Sequence, residues 1–125
     1  MLETCALYEL AFAVFHLCFW RLFRWTENLQ RIDFINRNIM QILNIRLTYV
    51  FVMVALLLGV AAVKGEQGWL LQALLGGMAL FWLMRTAEQF WFFGRRNHMS
   101  NAMAIVFAAG AALHGWAFIQ VRQTT

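Results

Sequence analysis

Proline is absent from all 125 residues, and charge is scarce: Lys, Arg, Asp and Glu together make up 13% of the chain. Without proline no helix is interrupted from within, which argues against the broken-helix designs used by many transporters. A soluble domain carries about 25% charged and about 45–50% apolar residues, whereas this chain is 62% apolar. The deficit of charge and excess of hydrocarbon exclude an ordinary soluble domain and point to an integral membrane protein. Cysteine is also sparse. Cys5 and Cys18 fall on one expected helix, roughly 20 Å apart at about 1.5 Å per residue, too far to bridge within a chain. Each reads as a small buried apolar residue. No Ser-His-Asp, HExxH, P-loop or CxxC pattern occurs. The net charge of +4 reads as membrane orientation rather than nucleic-acid binding.

What the chain does contain is long apolar runs. The one that organises the rest is Leu47 to Val63, free of charge, behind a polar lead-in of Asn36, Arg37, Asn38, Gln41, Asn44 and Arg46. A bilayer core takes about 20 apolar residues of helix. The lead-in has no Gly or Pro, and Arg37, Gln41, Asn44 and Thr48 recur at helical spacing on one face. One helix is therefore expected from Phe34 to Val63. Its polar stripe must face protein, water or headgroups, since lipid tails cannot satisfy it. Three more helices are expected at Thr4–Phe23, Trp69–Phe93 and Met99–Val121. Thr26, with Glu27 or Asp33, is a weak signal for the cap of a short interfacial turn in the polar connection Thr26–Asp33. Lys64-Gly65-Glu66-Gln67-Gly68 is the clearest turn, and Gly94 reads as a C-cap. The fold expected is an all-α, antiparallel, up-down-up-down bundle of four membrane helices without β-structure, forming a single domain over residues 1–125. The first helix does not read as a cleaved signal peptide, because Glu3 stands where basic residues belong and no small-residue cleavage site follows. In the fourth helix Ser100, Ala104, Ala108 and Ala112 form a small-residue ridge at four-residue spacing, the kind that lets membrane helices approach closely.

Eight of the ten basic residues (Arg21, Arg24, Arg31, Arg37, Arg46, Arg85, Arg95, Arg96) fall around the first and third loops, and only Lys64 and Arg122 lie on the other side. Basic loops stay in the cytoplasm. The first and third loops are thus expected inside and both termini outside, in the plasma (inner) membrane of a bacterium.

Two groups of polar residues lie inside the apolar runs. Arg37, Gln41 and Asn44 on the second helix, with Arg85, Glu88 and Gln89 on the third, are candidates for a polar ligand pocket at the cytoplasmic end. Arg21, Arg46 and Arg85, level with one another by count, also read as headgroup anchors, and Arg85 with Glu88 as an i, i+3 pair. Glu9, His16 and His114 are deeper. A carboxylate in hydrocarbon costs several kcal/mol unless it is protonated or matched. His114, level with Glu9, is its expected partner, either as structural glue or as a proton-linked site. His16 and His114 differ in depth by roughly 9 Å, which disfavours both a shared haem and a metal held with Glu9. The aromatic-rich stretch Phe81–Phe93 reads as interfacial belt and packing.

Arg37, Gln41 and Asn44 on one helix, and Arg85 with Glu88 before an Arg-rich third loop, resemble the MAPEG superfamily of small four-helix membrane glutathione transferases. The resemblance covers about half the chain. It departs where Gln41 or Asn44 stands in place of a Glu, in lacking a Pro after the polar stripe, and in lacking a Tyr near the end of the third helix. It implies a homotrimer that binds glutathione or a lipid at the cytoplasmic interface. The residues themselves favour a non-enzymatic protein that self-associates or joins a larger membrane complex. A proton-coupled transporter or channel built around Glu9 is a further alternative. Catalytic residues stay unknown and enzymatic activity open, leaning against it; no metal, resident cofactor or nucleic-acid partner is expected, and the lipid bilayer is the surrounding.

Overall fold

Every element in the computed structural model, which describes residues 1–95 and 97–123, is helical. Six α-helices follow one another: α1 (Leu2–Leu17), α2 (Phe19–Leu22), α3 (Trp25–Asn28), α4 (Phe34–Lys64), α5 (Trp69–Phe93) and α6 (His98–Gln123). A single 3₁₀ turn, Leu29–Arg31, lies between α3 and α4. The expected all-helical class is therefore observed, but with six α-helices rather than four. Three of them, α4, α5 and α6, are long and apolar enough to cross a membrane. At about 1.5 Å per residue they measure roughly 46, 37 and 39 Å. Arg96, one of the eight basic residues assigned to the cytoplasmic side, lies outside the described residues.

The long helices begin and end close to where turn chemistry puts them. Asp33 caps α4: its carboxylate accepts the Asn36 backbone N–H at 3.0 Å and also the Asn36 side-chain amide. These bonds, the backbone one first, hold the Asp33 carboxyl below the usual carboxylate range. The short turn expected ahead of it exists as α3, whose N-cap position is Arg24 with no side-chain cap bond, so Thr26 does not cap it. Gly94 closes α5 at φ +64°, a left-handed conformation that suits glycine, and donates its N–H to the Phe90 carbonyl at 3.1 Å. Asn97 accepts the Met99 N–H at 2.9 Å and starts α6.

The first expected helix differs from Thr4–Phe23. It divides at Cys18, where the Cys18 N–H is shared between the Val14 and Phe15 carbonyls, both at 3.1 Å. That shared bond is a local tightening, and α2 resumes at once because Leu22 N–H reaches the Cys18 carbonyl at 2.8 Å. The real stop is Arg24, the only non-glycine with positive φ (+50°) among the described residues. An L-residue there costs roughly 1 kcal/mol or more, and the helix direction changes. Cys18 is exposed rather than buried, at the point where the helix divides; Cys5 is fully buried, as expected.

The chain divides into two compact units. One comprises Met1–Cys5 with Ala61–Thr125, the other Ala6–Val60. In the first, α5 and α6 pack along their length. Buried residues on α5 include Leu71, Leu75, Met78 and Trp82, and those on α6 include Ser100, Ala104, Phe107, Gly110, His114 and Ala117. Trp82 stacks on Phe107 at 5.8 Å. A Cβ on Gly76 would touch the Phe118 ring at 3.5 Å, and one on Gly115 would touch Ala79 at 4.0 Å. The close approach therefore uses Gly76, Ala79 and Gly115. The expected ridge is split: Ser100 and Ala104 are buried, while Ala108 and Ala112 are exposed. The reason is geometric. A four-residue step turns a helix by about 400°, so a strict i+4 row drifts about 40° per step and leaves the buried side of α6, whereas the buried residues, at steps of three and four, stay on it.

In the other unit the buried residues include Phe12, Ala13, Leu29, Phe51, Val54, Ala55 and Leu58. Phe12 meets Phe51 at 5.9 Å, which ties α1 to α4. A chain of aromatic contacts continues through Phe15, Phe19, Phe23 and Trp25 at 4.8–5.5 Å between ring centres.

Candidate functional site

The six residues expected to share one polar pocket fall three to each unit. Arg37, Gln41 and Asn44 belong to the unit of α1 and the first part of α4; Arg85, Glu88 and Gln89 belong to that of α5 and α6. Each trio has partners inside its own unit.

On α4 the polar stripe faces α1 and α2. Asn44 is buried and makes two bonds to one residue. Its side-chain amide donates to the His16 carbonyl at 2.9 Å, and its Oδ1 lies 2.8 Å from His16 Nδ1. With the amide nitrogen committed to a carbonyl, the Asn44 oxygen is the acceptor and His16 Nδ1 carries the proton. The imidazole stacks on Phe19 at 4.4 Å and leans against Phe51 at 5.2 Å. One helical turn earlier, Gln41 Oε1 accepts the Trp20 indole N–H at 3.2 Å, and its amide donates to the Arg37 carbonyl at 3.3 Å. One turn later, the Thr48 hydroxyl donates to the Asn44 carbonyl at 2.8 Å. The guanidinium of Arg37 sits over the Phe34 ring at 5.6 Å. The stripe legible in the sequence is thus a clasp between α4 and the α1–α2 segment. His16 and Asn44, assigned to different groups from the sequence, turn out to be direct partners.

On α5 a second polar chain runs to α6. Arg85 Nη2 donates to Gln89 Oε1 at 3.0 Å, and Gln89 Nε2 donates to Ser100 Oγ at 3.0 Å. Ser100 in turn reaches the Gly94 carbonyl at 3.4 Å. The Arg85 guanidinium lies 4.6 Å from the Phe107 ring centre, and its ion pair with Glu88 is long, at 4.0 Å. Thr86 returns its hydroxyl to the Trp82 carbonyl at 2.8 Å. Gln89 and Ser100 are buried, so this chain clips the end of the α5–α6 pair.

Glu9, in one unit, and His114, in the other, have no exposed surface at all. His114 Nδ1 donates to the Gly110 carbonyl at 2.8 Å, one turn back on α6. A carbonyl only accepts, so Nδ1 carries the proton and Nε2 is the acceptor in the neutral ring. Among the described residues no three His, Cys, Asp or Glu side chains gather as a metal ion would require.

One feature carries no signal in the sequence. The start of α1, the end of α4, the α4–α5 turn and the end of α6 enclose an open cleft of about 350 Å³, whose lining includes Leu2, Glu3, Ala62, Gln67, Gln120 and Val121. These residues belong to one unit but to four separate stretches of chain, with no spacing that relates them. No known protein family matches this chain, and neither a curated protein nor a solved structure matches it.

Proposed function

We propose that the chain is a small polytopic membrane protein without catalytic activity, acting as a homo-oligomer or as a subunit of a larger membrane complex. The observation that carries this reading is how its intramembrane polar groups are used. Asn44 and Gln41 are engaged with His16 and Trp20, and Arg85 and Gln89 with each other and with Ser100. Groups held this way set helix geometry. The lipid-length helices α4, α5 and α6 also keep much apolar side-chain surface exposed, including Leu56, Val60, Leu80, Leu83 and Ile105. That surface suits lipid or neighbouring subunits.

The reading includes a fourth crossing. Leu2–Leu22 runs as helix with one tightening at Cys18, about 30 Å at 1.5 Å per residue, just enough for a bilayer core. Glu3 and Gln67 line the same cleft and so lie on one side of any membrane. If α4 crosses, its start is on the other side, and the chain between Glu3 and Phe34 must cross once. With the basic residues retained inside, both termini face outward and the first and third loops face the cytoplasm of a bacterial inner membrane.

Intact mass spectrometry of the detergent-purified protein tests the functional reading. Multiples of the chain mass, or defined additional subunits, are the expected result. Conjugation of glutathione to an electrophile by the purified protein, whatever its stoichiometry, would replace this reading with a membrane enzyme of the MAPEG kind. A monomer whose proton uptake disappears in Glu9→Gln would replace it with a proton-coupled carrier.

A further inference from the structure

We propose that α5 is a pairing helix: Arg85 of one copy of the chain meets Glu88 of a second copy, and Glu88 meets Arg85, across a two-fold axis along the membrane normal. The inference deepens the reading above by naming the partner and the contact. It rests on that reading for a shared membrane and a shared orientation of the copies.

Arg85 and Glu88 lie within the span of α5, short of its end at Phe93. At about 1.5 Å per residue Glu88 stands roughly 8 Å from that end and Arg85 roughly 12 Å. Centred on a core of about 30 Å, α5 overhangs it by only about 3 or 4 Å at each end. Trp91, Phe92 and Phe93 follow Glu88 with 86%, 75% and 62% of their surface exposed. An exposed aromatic cluster of this kind marks a membrane boundary. The acid and the arginine are on its bilayer side.

Within one copy the two charges are loosely matched. Their closest approach is 4.0 Å, and 32% of the Arg85 side chain and 50% of the Glu88 side chain stay exposed. Neutral groups hold the guanidinium in place. Its Nη2 donates to Oε1 of the buried Gln89 at 3.0 Å, and its carbon lies 4.6 Å from the Phe107 ring centre. An arginine has five N–H donors, so this fixed guanidinium keeps donors for a further carboxylate. Among the described residues, Arg85 is the one charged neighbour of Glu88. Charges left exposed at this depth face hydrocarbon, which satisfies neither.

Whatever covers the pair must carry both signs at one depth. An anionic headgroup reaching Arg85 would meet Glu88 beside it, and a cationic one reaching Glu88 would meet Arg85. A second copy in the same orientation supplies the complement by symmetry alone. A two-fold axis sets residue i against j and j against i. Arg85 and Glu88 differ in height by about 4.5 Å, a step that the long arginine side chain spans. The dimer thus holds two identical charge pairs, in a low-dielectric setting that strengthens charge-assisted bonds. Helix rotation agrees. At about 100° per residue, Leu74, Phe81, Arg85, Glu88 and Phe92 fall within about 60° of one another, and each is half-buried or exposed. This strip stands about 80° round α5 from the buried row that includes Leu75 and Trp82. Pairing through it leaves the packing of the protomer intact.

The test uses the full chain purified from membranes in mild detergent, with native mass spectrometry reading the dimer fraction. Wild type should be dimeric. Glu88→Arg alone and Arg85→Glu alone should each weaken association by roughly tenfold or more, the scale of one charged hydrogen bond. Co-expressed with different affinity tags, the two variants should recover a mixed dimer, because every acid then faces a base. A charge pair confined to one copy gives no such rescue. Where Arg85→Glu does not fold, cysteine cross-linking in a Cys5→Ala, Cys18→Ala background decides. Phe92→Cys should form disulfide-linked dimers, and adding Glu88→Arg should reduce their yield. Leu83→Cys, exposed on the opposite side of α5, should not cross-link. A dimer that survives Glu88→Arg, or that cross-links at Leu83 as readily as at Phe92, overturns this interface and leaves the oligomeric reading standing. Charge-sensitive assembly with a different subunit overturns the second copy as partner and leaves the larger complex. An inserted wild type that is monomeric and without other subunits overturns both. Failure of carbonate-resistant insertion into vesicles removes the membrane reading, and the pairing with it.

Discussion

Asp33 shows how much one polar side chain does at a helix start. Its carboxyl takes two hydrogen bonds from Asn36 and is held below its usual range. A carboxyl whose pKa falls on folding adds stability at every pH above its unfolded value, about 4, and loses that contribution as pH drops through the lowered folded value. Asp33→Ala should therefore melt a few degrees below wild type at neutral pH, and the gap should close below about pH 4. Asp33→Asn should retain most of the cap without the pH dependence. Thermal melts in detergent across pH 3–8 read both; a gap that does not change with pH would remove the charged-cap account. His16 and Asn44 offer a sharper case, because each makes two contacts with the other. Asn44→Leu should cost about 1–3 kcal/mol by taking away both bonds at a buried position. Replacing His16 by Phe in the same background should recover part of that loss, since the ring stacking on Phe19 and Phe51 is retained. A double-mutant cycle with a coupling energy near zero would mean that the clasp contributes nothing.

Among the helices, α6 carries the clearest lesson. Its i+4 row of small residues was legible in the sequence, but only half of it is buried, because a strict i+4 row winds off a buried side that spacing of three and four follows. Ala104 is buried and Ala108 exposed. Ala104→Leu should thus overpack the buried side of α6 and cost about 1–3 kcal/mol. Ala108→Leu should leave the melting temperature of the protomer within about 0.5 kcal/mol of wild type. Should Ala108→Leu instead disrupt a larger assembly in mass photometry, that exposed face belongs to a contact between subunits. Equal effects of the two substitutions on the protomer would contradict the observed packing. The α1–α2 segment teaches the opposite. Hydropathy carried one helix through to Phe23, but backbone bonding tightens it at Cys18, and the left-handed Arg24 turns the chain. Neither event has a Gly or Pro to announce it.

Topology is the property of the full chain most open to test. Single cysteines at Glu3, Gln67 and Arg31, introduced into a Cys5→Ala, Cys18→Ala background, should divide into two classes with a membrane-impermeant thiol reagent. Positions 3 and 67 should label from outside, and position 31 only after permeabilisation. Labelling of position 31 together with 67 would mean that the α1–α2 segment does not cross. Much of this architecture follows from composition and pattern alone. A charge-free stretch of lipid length, a glycine-rich turn and an Asp or Gly at a helix end act over a few residues. Their free energies are local, so the bounds of α4, α5 and α6 and the helical class are readable along the chain. Which polar group meets which is a different kind of fact. His16 and Asn44 are 28 residues apart, Gln89 and Ser100 lie across a loop, and the cleft draws on four separated stretches. Such pairings depend on helix rotation to within a few tens of degrees, a quantity set by how Trp82 seats on Phe107 and Phe12 on Phe51. Local sequence leaves that rotation open, and the packing of side chains between helices decides it.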